Sequence, residues 1–277
     1  MTSPSQPKRP FKKPFRGPRT PTGAGFARGP LPDSEDGPLR LFGVHAVEAA
    51  VGNPARKLIK LSATENGERR LQDAIKLREL AVERISPREL DRILGADTVH
   101  QGLMLECEPL DEPELQELAE LASAGGPLIV LDQVTDPHNA GAILRSAAAF
   151  GASGVIMTRR HSPPLNGTLA KSASGALEWV PVAMVQNLAK AMEDLKEQGT
   201  LLIGLDGEAP AALEDEPFDG PVAIVMGAEG KGLRQLTAET CSRLVRISTA
   251  GTLASLNVSN AAAIALHTAM VKRSQRS

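Results

Sequence analysis

The sequence predicts an α/β protein with a parallel-sheet domain over residues 127–277, preceded by a small α/β domain over 39–110, a connection at 111–126 and a disordered basic tail over 1–38. Three observations predict it. In the second half, short apolar runs alternate with helical segments, the pattern of a parallel sheet covered on both faces. Residues 39–110 mix short apolar runs with amphipathic stretches on a smaller scale. Residues 1–38 are rich in Pro, Gly, Lys and Arg and carry too few aliphatic side chains to offset the entropy of ordering. The length, 277 residues, suits two domains and a tail.

In order along the chain, Val44 to Val51 reads as a helix, Leu58–Leu61 as a short strand and Glu68 to Leu80 as one amphipathic helix. Ser86-Pro87-Arg88-Glu89 has the marks of a helix start: Ser86 as N-cap, Pro87 in the first turn and Glu89 completing a capping box. Leu103–Leu105 closes the small domain as a strand. Asp111 to Ala124 is acidic with helical period, and Gly125-Gly126-Pro127 breaks it. Beyond it, strands are expected at Leu128–Leu131, Gly154–Met157, Leu201–Leu205, Val222–Val225 and Leu244–Ile247. Helices are expected at Ala140–Phe150, Leu188–Glu197, Leu233–Ser242 and Val258–Val271.

Composition narrows the function classes. Hydrophobic residues make up 42% but aromatics only 3%, and Tyr is absent, so Ala, Leu, Val and Ile must build the cores. The net charge of −2 does not favour a nucleic-acid partner, but its distribution does. Lys8, Arg9, Lys12, Lys13, Arg16, Arg19 and Arg28 share residues 1–30 with no acid, which suggests a polyanionic partner. Cys107 and Cys241 lie far apart, outside any CxxC spacing, and read as reduced small apolar residues. No apolar run approaches the roughly 18 residues of a membrane span. The basic N-terminus lacks the apolar region of a secretory signal, and its prolines disfavour the amphipathic helix of a transit peptide. The expectation is a cytoplasmic protein without a membrane partner. No His, Cys or carboxylate cluster has metal-site spacing, so no metal is expected.

Three loops, each leaving the carboxyl end of an expected strand, stand where open α/β sheets bind ligands. The first, Asp132–Asn139, leads into the Ala140–Phe150 helix. Asn139 sits where an N-cap belongs, and capping alone would explain it. Arg145 is the one charge between Asp136 and Arg159, on a helix whose Ala and Gly residues suggest close packing nearly all round. A lone helical Arg is also what a solvated face carries. The second loop, Gly227-Ala228-Glu229-Gly230-Lys231-Gly232, fits neither a Walker A loop nor the dinucleotide fingerprint. Its glycines permit close approach to a ligand, as they would in any tight turn, and Glu229 is the residue the turn does not need. The third, Ser248–Ser259, is crowded with small polar side chains beyond what capping requires.

Together these loops resemble the three motifs of the SpoU (TrmH) family of RNA ribose 2′-O-methyltransferases. The matching residues are Asp136-Pro137-His138-Asn139 with Gly141 and Leu144-Arg145-Ser146, then Val225–Gly230 with Gly232-Leu233, then Ser255–Ser259. Lys171–Ala176 looks like the small-residue stretch that members carry between the first two. Upstream, Phe42–Glu48 and His100-Gln101-Gly102 are similar to the start and end of the substrate-binding domain in a bacterial branch that methylates a guanosine of 23S rRNA. That domain is itself similar to an RNA-binding ribosomal protein. One departure is Thr249-Ala250, where the branch usually has Pro-Met.

The resemblance implies a trefoil-knotted methyltransferase domain, a homodimer, S-adenosyl-L-methionine as cofactor and large-subunit rRNA as partner. It implies that Gly227, Ile247, Leu256 and Asn257 hold the cofactor, and that Asn139, Arg145, Glu229, Ser255 and Asn257 line the reaction site. For Arg145 two roles stand open, base or electrostatic stabiliser of the 2′-alkoxide. A guanidinium is effectively always protonated, which makes the second physically easier. Because the 2′-hydroxyl separates RNA from DNA, DNA is not an expected partner. The alternatives are another rRNA or tRNA substrate, a non-catalytic RNA-binding protein of the same fold, and a plain nucleotide-binding α/β protein.

Overall fold

A computed structural model of the chain describes residues 37–251 and 256–275. The expected basic tail therefore lies, apart from Gly37 and Pro38, outside the described residues, as does Ser255.

The first unit is a four-stranded sheet with helices. It runs β1 (Leu39–Phe42), α1 (Val44–Gly52), β2 (Leu58–Ala63), α2 (Glu65–Arg70), α3 (Gln72–Leu77), β3 (Val82–Arg84), α4 (Pro87–Leu94) and β4 (Leu103–Cys107), with strand order β1-β4-β2-β3. β4 pairs antiparallel with both neighbours, and β2 pairs parallel with β3. Ser86 caps α4 as its sequence indicates: Glu89 N donates to Ser86 Oγ at 3.3 Å, and Ser86 N donates to Glu89 Oε2 at 2.9 Å. The single helix expected over Glu68–Leu80 is instead two, α2 and α3. Leu71 between them leaves helical geometry (φ −102°, ψ 11°) and is buried at 1% exposure. Periodicity carries no mark of that break, at which Leu71 joins the apolar core. The edge strands β1 and β3 were not expected either. Both are short and mix apolar with charged residues.

The second unit begins at α5 (Leu115–Ala124). It continues through β5 (Leu128–Leu131), α6 (Pro137–Ala149), β6 (Gly154–Thr158), α7 (Gly167–Ser172), a 3₁₀ turn (Ala176–Glu178), β7 (Val182–Val185), α8 (Leu188–Glu197), β8 (Leu201–Leu205), β9 (Ala211–Ala212) and a 3₁₀ turn (Leu213–Asp215). The chain then forms β10 (Val222–Met226), α9 (Gln235–Thr240), β11 (Arg243–Arg246) and α10 (Val258–Ser274). The seven strands are ordered β7-β6-β5-β10-β8-β11-β9, and every pairing is parallel. The inner strands β5, β6 and β10 are buried along their whole length, which is why they read as unbroken apolar runs. The sequence between the two units is not bare connection: α5 buries Leu118, Ala119 and Ala122 in the core shared by β5, β6 and α8.

The two units share one apolar core, and their joint is built on small residues and one buried ion pair. A Cβ on Gly167 would stand 2.2 Å from the Arg40 carbonyl oxygen, and one on Gly175 2.6 Å from the Ala49 side chain. Glu178 accepts from Arg56 Nη2 at 2.6 Å, Arg56 Nε at 3.1 Å and Asn53 Nδ2 at 2.9 Å, while Arg56 Nη1 donates to the Glu108 carbonyl at 2.9 Å. The charged side chains are 1% and 2% exposed, so the pair is almost wholly desolvated. The Lys171–Ala176 stretch thus lies between α6 and the first unit. A Cβ on Gly141 of α6 would meet Ser172 at 2.4 Å.

Candidate active site

Three strand-end loops meet at the carboxyl edge of the larger sheet. After β5, the side chain of Asp136 caps α6 by accepting from His138 N at 2.9 Å, with Pro137 in the first helical position. This corrects the expectation for Asn139. It is not the cap but a residue of the first turn, so its side chain is free to reach across the sheet edge. Asn139 Nδ2 donates to Glu229 Oε2 at 3.3 Å. Asn257 is a true N-cap: its Oδ1 accepts from Ser259 N at 2.9 Å and Ser259 Oγ at 2.5 Å. Its Nδ2 donates to Asn139 Oδ1 at 3.0 Å and to Glu229 Oε2 at 3.2 Å. Asn139, Glu229 and Asn257, far apart in sequence, close a hydrogen-bonded triangle.

The loop after β10 owes its shape to glycine. A Cβ on Gly227 would lie 2.0 Å from Gly232 C and 2.3 Å from Leu233 N, where backbone leaves no room to yield. Gly230 and Gly232 take φ of 77° and 66°, the left-handed region that disfavours side chains. The loop folds back on itself through Gly232 N donating to Ala228 O at 2.9 Å. Beside it opens a cavity of about 400 Å³, lined by Gly227, Ile247 and Leu256 together with Met226, Leu205 and Val258. Three acids, Asp206, Glu208 and Glu229, face the same cavity, and no Lys, Arg or His lines it among the described residues. An apolar cleft with acids at its rim suits an aromatic, cationic ligand. Nothing in the sequence singles out Asp206 and Glu208. They follow β8 in Asp-Gly-Glu order, which reads as a solvated turn, and only their place at the same sheet edge marks them out.

The loop after β11 is tethered from below. Ser248 N and Oγ donate to Glu214 at 3.2 and 3.1 Å. Burial acts to raise the Glu214 carboxyl, but its backbone and Ser248 hydrogen bonds, with the nearby Arg246 charge, hold it below the ordinary glutamate value. Thr249 and Ala250 are exposed and do not line the cavity.

Arg145 does not join the triangle. Close packing around α6 is confined to Ala140, Gly141, Ile143, Leu144 and Ala147, while His138, Arg145, Ala148 and Ala149 are exposed. No hydrogen bond or ion pair engages the Arg145 guanidinium among the described residues. Six residues on a helix of 3.6 per turn put Arg145 on a different face of α6 from Asn139. Among the described residues no group of His, Cys, Asp or Glu is arranged to hold a metal ion. No helix there is long and apolar enough to cross a membrane. Cys107 and Cys241 are thiols that burial pushes up to about 11 and about 12.

Comparison with known proteins supplies the family. The SpoU rRNA methylase family matches residues 126–267, and the RNA 2′-O ribose methyltransferase substrate-binding family matches residues 40–113. The chain is 44% identical over 239 residues to the 23S rRNA (guanosine-2′-O-)-methyltransferase RlmB of Ralstonia nicotianae, covering 84% of this chain and 96% of that one. It is 41% identical over 234 residues to the same enzyme of Pseudomonas aeruginosa, with 82% and 94% covered. In fold it resembles the SpoU methyltransferase AviRb from Streptomyces viridochromogenes, crystallised with AdoMet. The TM-score is 0.72 at 24% identity, over 87% of this chain and 92% of that chain. Two matching families and relatives spanned almost end to end make the conclusion direct: the chain belongs to the SpoU rRNA methylase family.

Proposed function

We propose that the protein transfers a methyl group from S-adenosyl-L-methionine to the ribose 2′-hydroxyl of a guanosine in 23S rRNA. The observation that carries this reading is the Asn139–Glu229–Asn257 triangle at the mouth of a glycine-walled, acid-rimmed cavity. The cavity fits the cofactor: apolar Leu205, Met226 and Ile247 suit the adenine, the Gly227 backbone permits close approach, and the acids suit a sulfonium and an ammonium. Bound there, the cofactor supplies an activated methyl group. The chain's own residues do the rest. Asn139 and Asn257 hold the ribose through their amides, in a site where two positioned reactants behave as one molecule. Glu229, fixed by both amides, orients them. Ser255 opens the motif that contains Asn257.

Arg145 stabilises the developing 2′-alkoxide. Its place on α6 away from its own Asn139 supports a homodimer in which it serves the site of a second copy packed on α6. The reading carries with it a knotted passage of the chain near α10 and a cytoplasmic setting. The substrate-binding unit, of ribosomal-protein type, and the basic residues of 1–38 grip the RNA. Mapping of 2′-O-methyl groups in rRNA and tRNA from cells with and without the gene tests the substrate. The reading expects one guanosine of 23S rRNA to lose its methyl group; loss from tRNA alone would redirect it.

A further inference from the structure

A second cleft opens at the same carboxyl sheet edge, on the other side of the β5–β10 pair. It encloses about 300 Å³ and is lined by residues following β5, β6 and β7 and by the start of α9. Gln133, Arg160, His161, Asn187 and Arg234 face it, with the 60%-exposed Leu236 as an apolar wall. Its charge is the reverse of the cofactor cavity's: two arginines and a histidine line it, and no Asp or Glu does among the described residues.

Arg234 is pre-positioned. Its Nε and backbone N donate to the fully buried Asp132 at 2.7 and 3.0 Å, and no hydrogen bond engages its Nη nitrogens among the described residues. Of the neighbouring pair, Arg159 is committed to Glu112 through two bonds, at 3.1 and 2.6 Å, whereas Arg160 makes no ion pair among the described residues. Gln133 and His161 both stand at positive φ, 59° and 64°, a conformation uncommon for residues other than glycine that turns both loops at the cleft. Two of the loops also reach the triangle. Gln133 and Asn139 belong to one segment, and Glu229 and Arg234 to another.

We propose that this cleft is a subsite for the phosphodiester backbone of the substrate RNA beside the target nucleotide, with Arg160 and Arg234 on phosphate and Leu236 against a base. It rests on the methyltransferase reading and extends it: one sheet edge holds a cationic donor in an acidic cavity and a polyanionic acceptor in a basic one. Arginine forks match phosphate oxygens in two-point contacts, and such contacts fix register without reading sequence.

The test uses the full-length protein. Arg160→Ala with His161→Ala removes side chains that the fold does not use, and Arg234→Lys keeps a cation on Asp132 while losing the fork. Anisotropy with a labelled single-stranded oligoribonucleotide measures binding without turnover, and methyl transfer to 23S rRNA measures the reaction. The double variant is expected to weaken RNA binding and raise the RNA KM on the order of ten-fold, the size of one lost charge-assisted hydrogen bond. The salt slope should fall by about 0.7 for each phosphate contact removed. S-adenosylhomocysteine affinity and kcat at saturating RNA should stay within about two-fold. An unchanged slope and KM overturn the subsite, and so does a loss confined to cofactor binding. If the wild-type protein methylates no RNA, the functional reading fails separately, and the anisotropy series still decides the cleft.

Discussion

Asn257 Nδ2 stands 3.0 Å from Asn139 Oδ1, joining the cap of α10 to the first turn of α6 across 118 residues of chain. One side chain thereby ends a helix, ties two loops together and meets Glu229. Asn257→Ala should lose both roles. Loss of the cap alone costs about 1 kcal/mol, which for a domain of this size lowers Tm by about 2–4 °C. Loss of a preorganised polar contact at the reacting ribose should lower kcat on the order of 10²-fold. Asn257→Asp keeps the cap but cannot donate to Asn139, so Tm should recover and turnover should not. Calorimetric melting and single-turnover methylation read the two effects independently.

Gly227→Ala tests the cavity wall. The added Cβ would meet the Gly232 and Leu233 backbone at 2.0–2.3 Å, so the loop after β10 must shift. S-adenosylhomocysteine binding, measured by titration calorimetry, should fall by at least about ten-fold. Undiminished affinity in a folded variant would place the cofactor elsewhere.

The Arg56–Glu178 pair predicts that losing one partner costs more than losing both. Glu178→Ala leaves a buried guanidinium without its counter-charge, which should destabilise the protein by about 3–5 kcal/mol. Replacing both partners together, Arg56→Met with Glu178→Leu, removes the charge and its desolvation cost, so most of that stability should return. Urea titrations of the wild type and the two variants measure this difference.

The carboxyl and thiol groups give two pH expectations. Glu214 is held below its unfolded value, so the stability it contributes is present above the ordinary glutamate range and is lost as pH falls through its lowered folded value. Cofactor affinity should weaken over the same acid window as the Ser248 tether releases, and Glu214→Gln should remove that dependence. Burial pushes Cys107 to about 11 and Cys241 to about 12, so both stay protonated at neutral pH. Alkylation of the folded protein at pH 7–8 should be slow and should accelerate on unfolding.

How much was legible in the sequence follows the range of each interaction. The Ser86–Glu89 box is entirely local, and the structure reproduces it. The inner strands β5, β6, β8 and β10 announce themselves because burial on both faces leaves no polar alternation to confuse. Asn139 reads from the residues alone as a cap, because capping residues look alike, and as a site residue only through the motif. What separates it from Asp136 is Pro137, which sets the first helical position. β7 follows Pro181 and is half exposed at its end, so its run is too short to stand out. Asp206 and Glu208 gain meaning only when β8 is placed beside β10, a long-range pairing that no local pattern encodes. Arg145 is legible as an anomaly, and of its two readings, close packing nearly all round and a solvated face, the structure bears out the second.

The most direct measurement incubates purified full-length protein with 23S rRNA and methyl-labelled S-adenosylmethionine, then digests the RNA to nucleosides for mass spectrometry. The account predicts label in 2′-O-methylguanosine, abolished by Arg145→Ala while S-adenosylhomocysteine binding persists. Label on a nucleobase, or undiminished 2′-O-methylguanosine formation by Arg145→Ala, would contradict it.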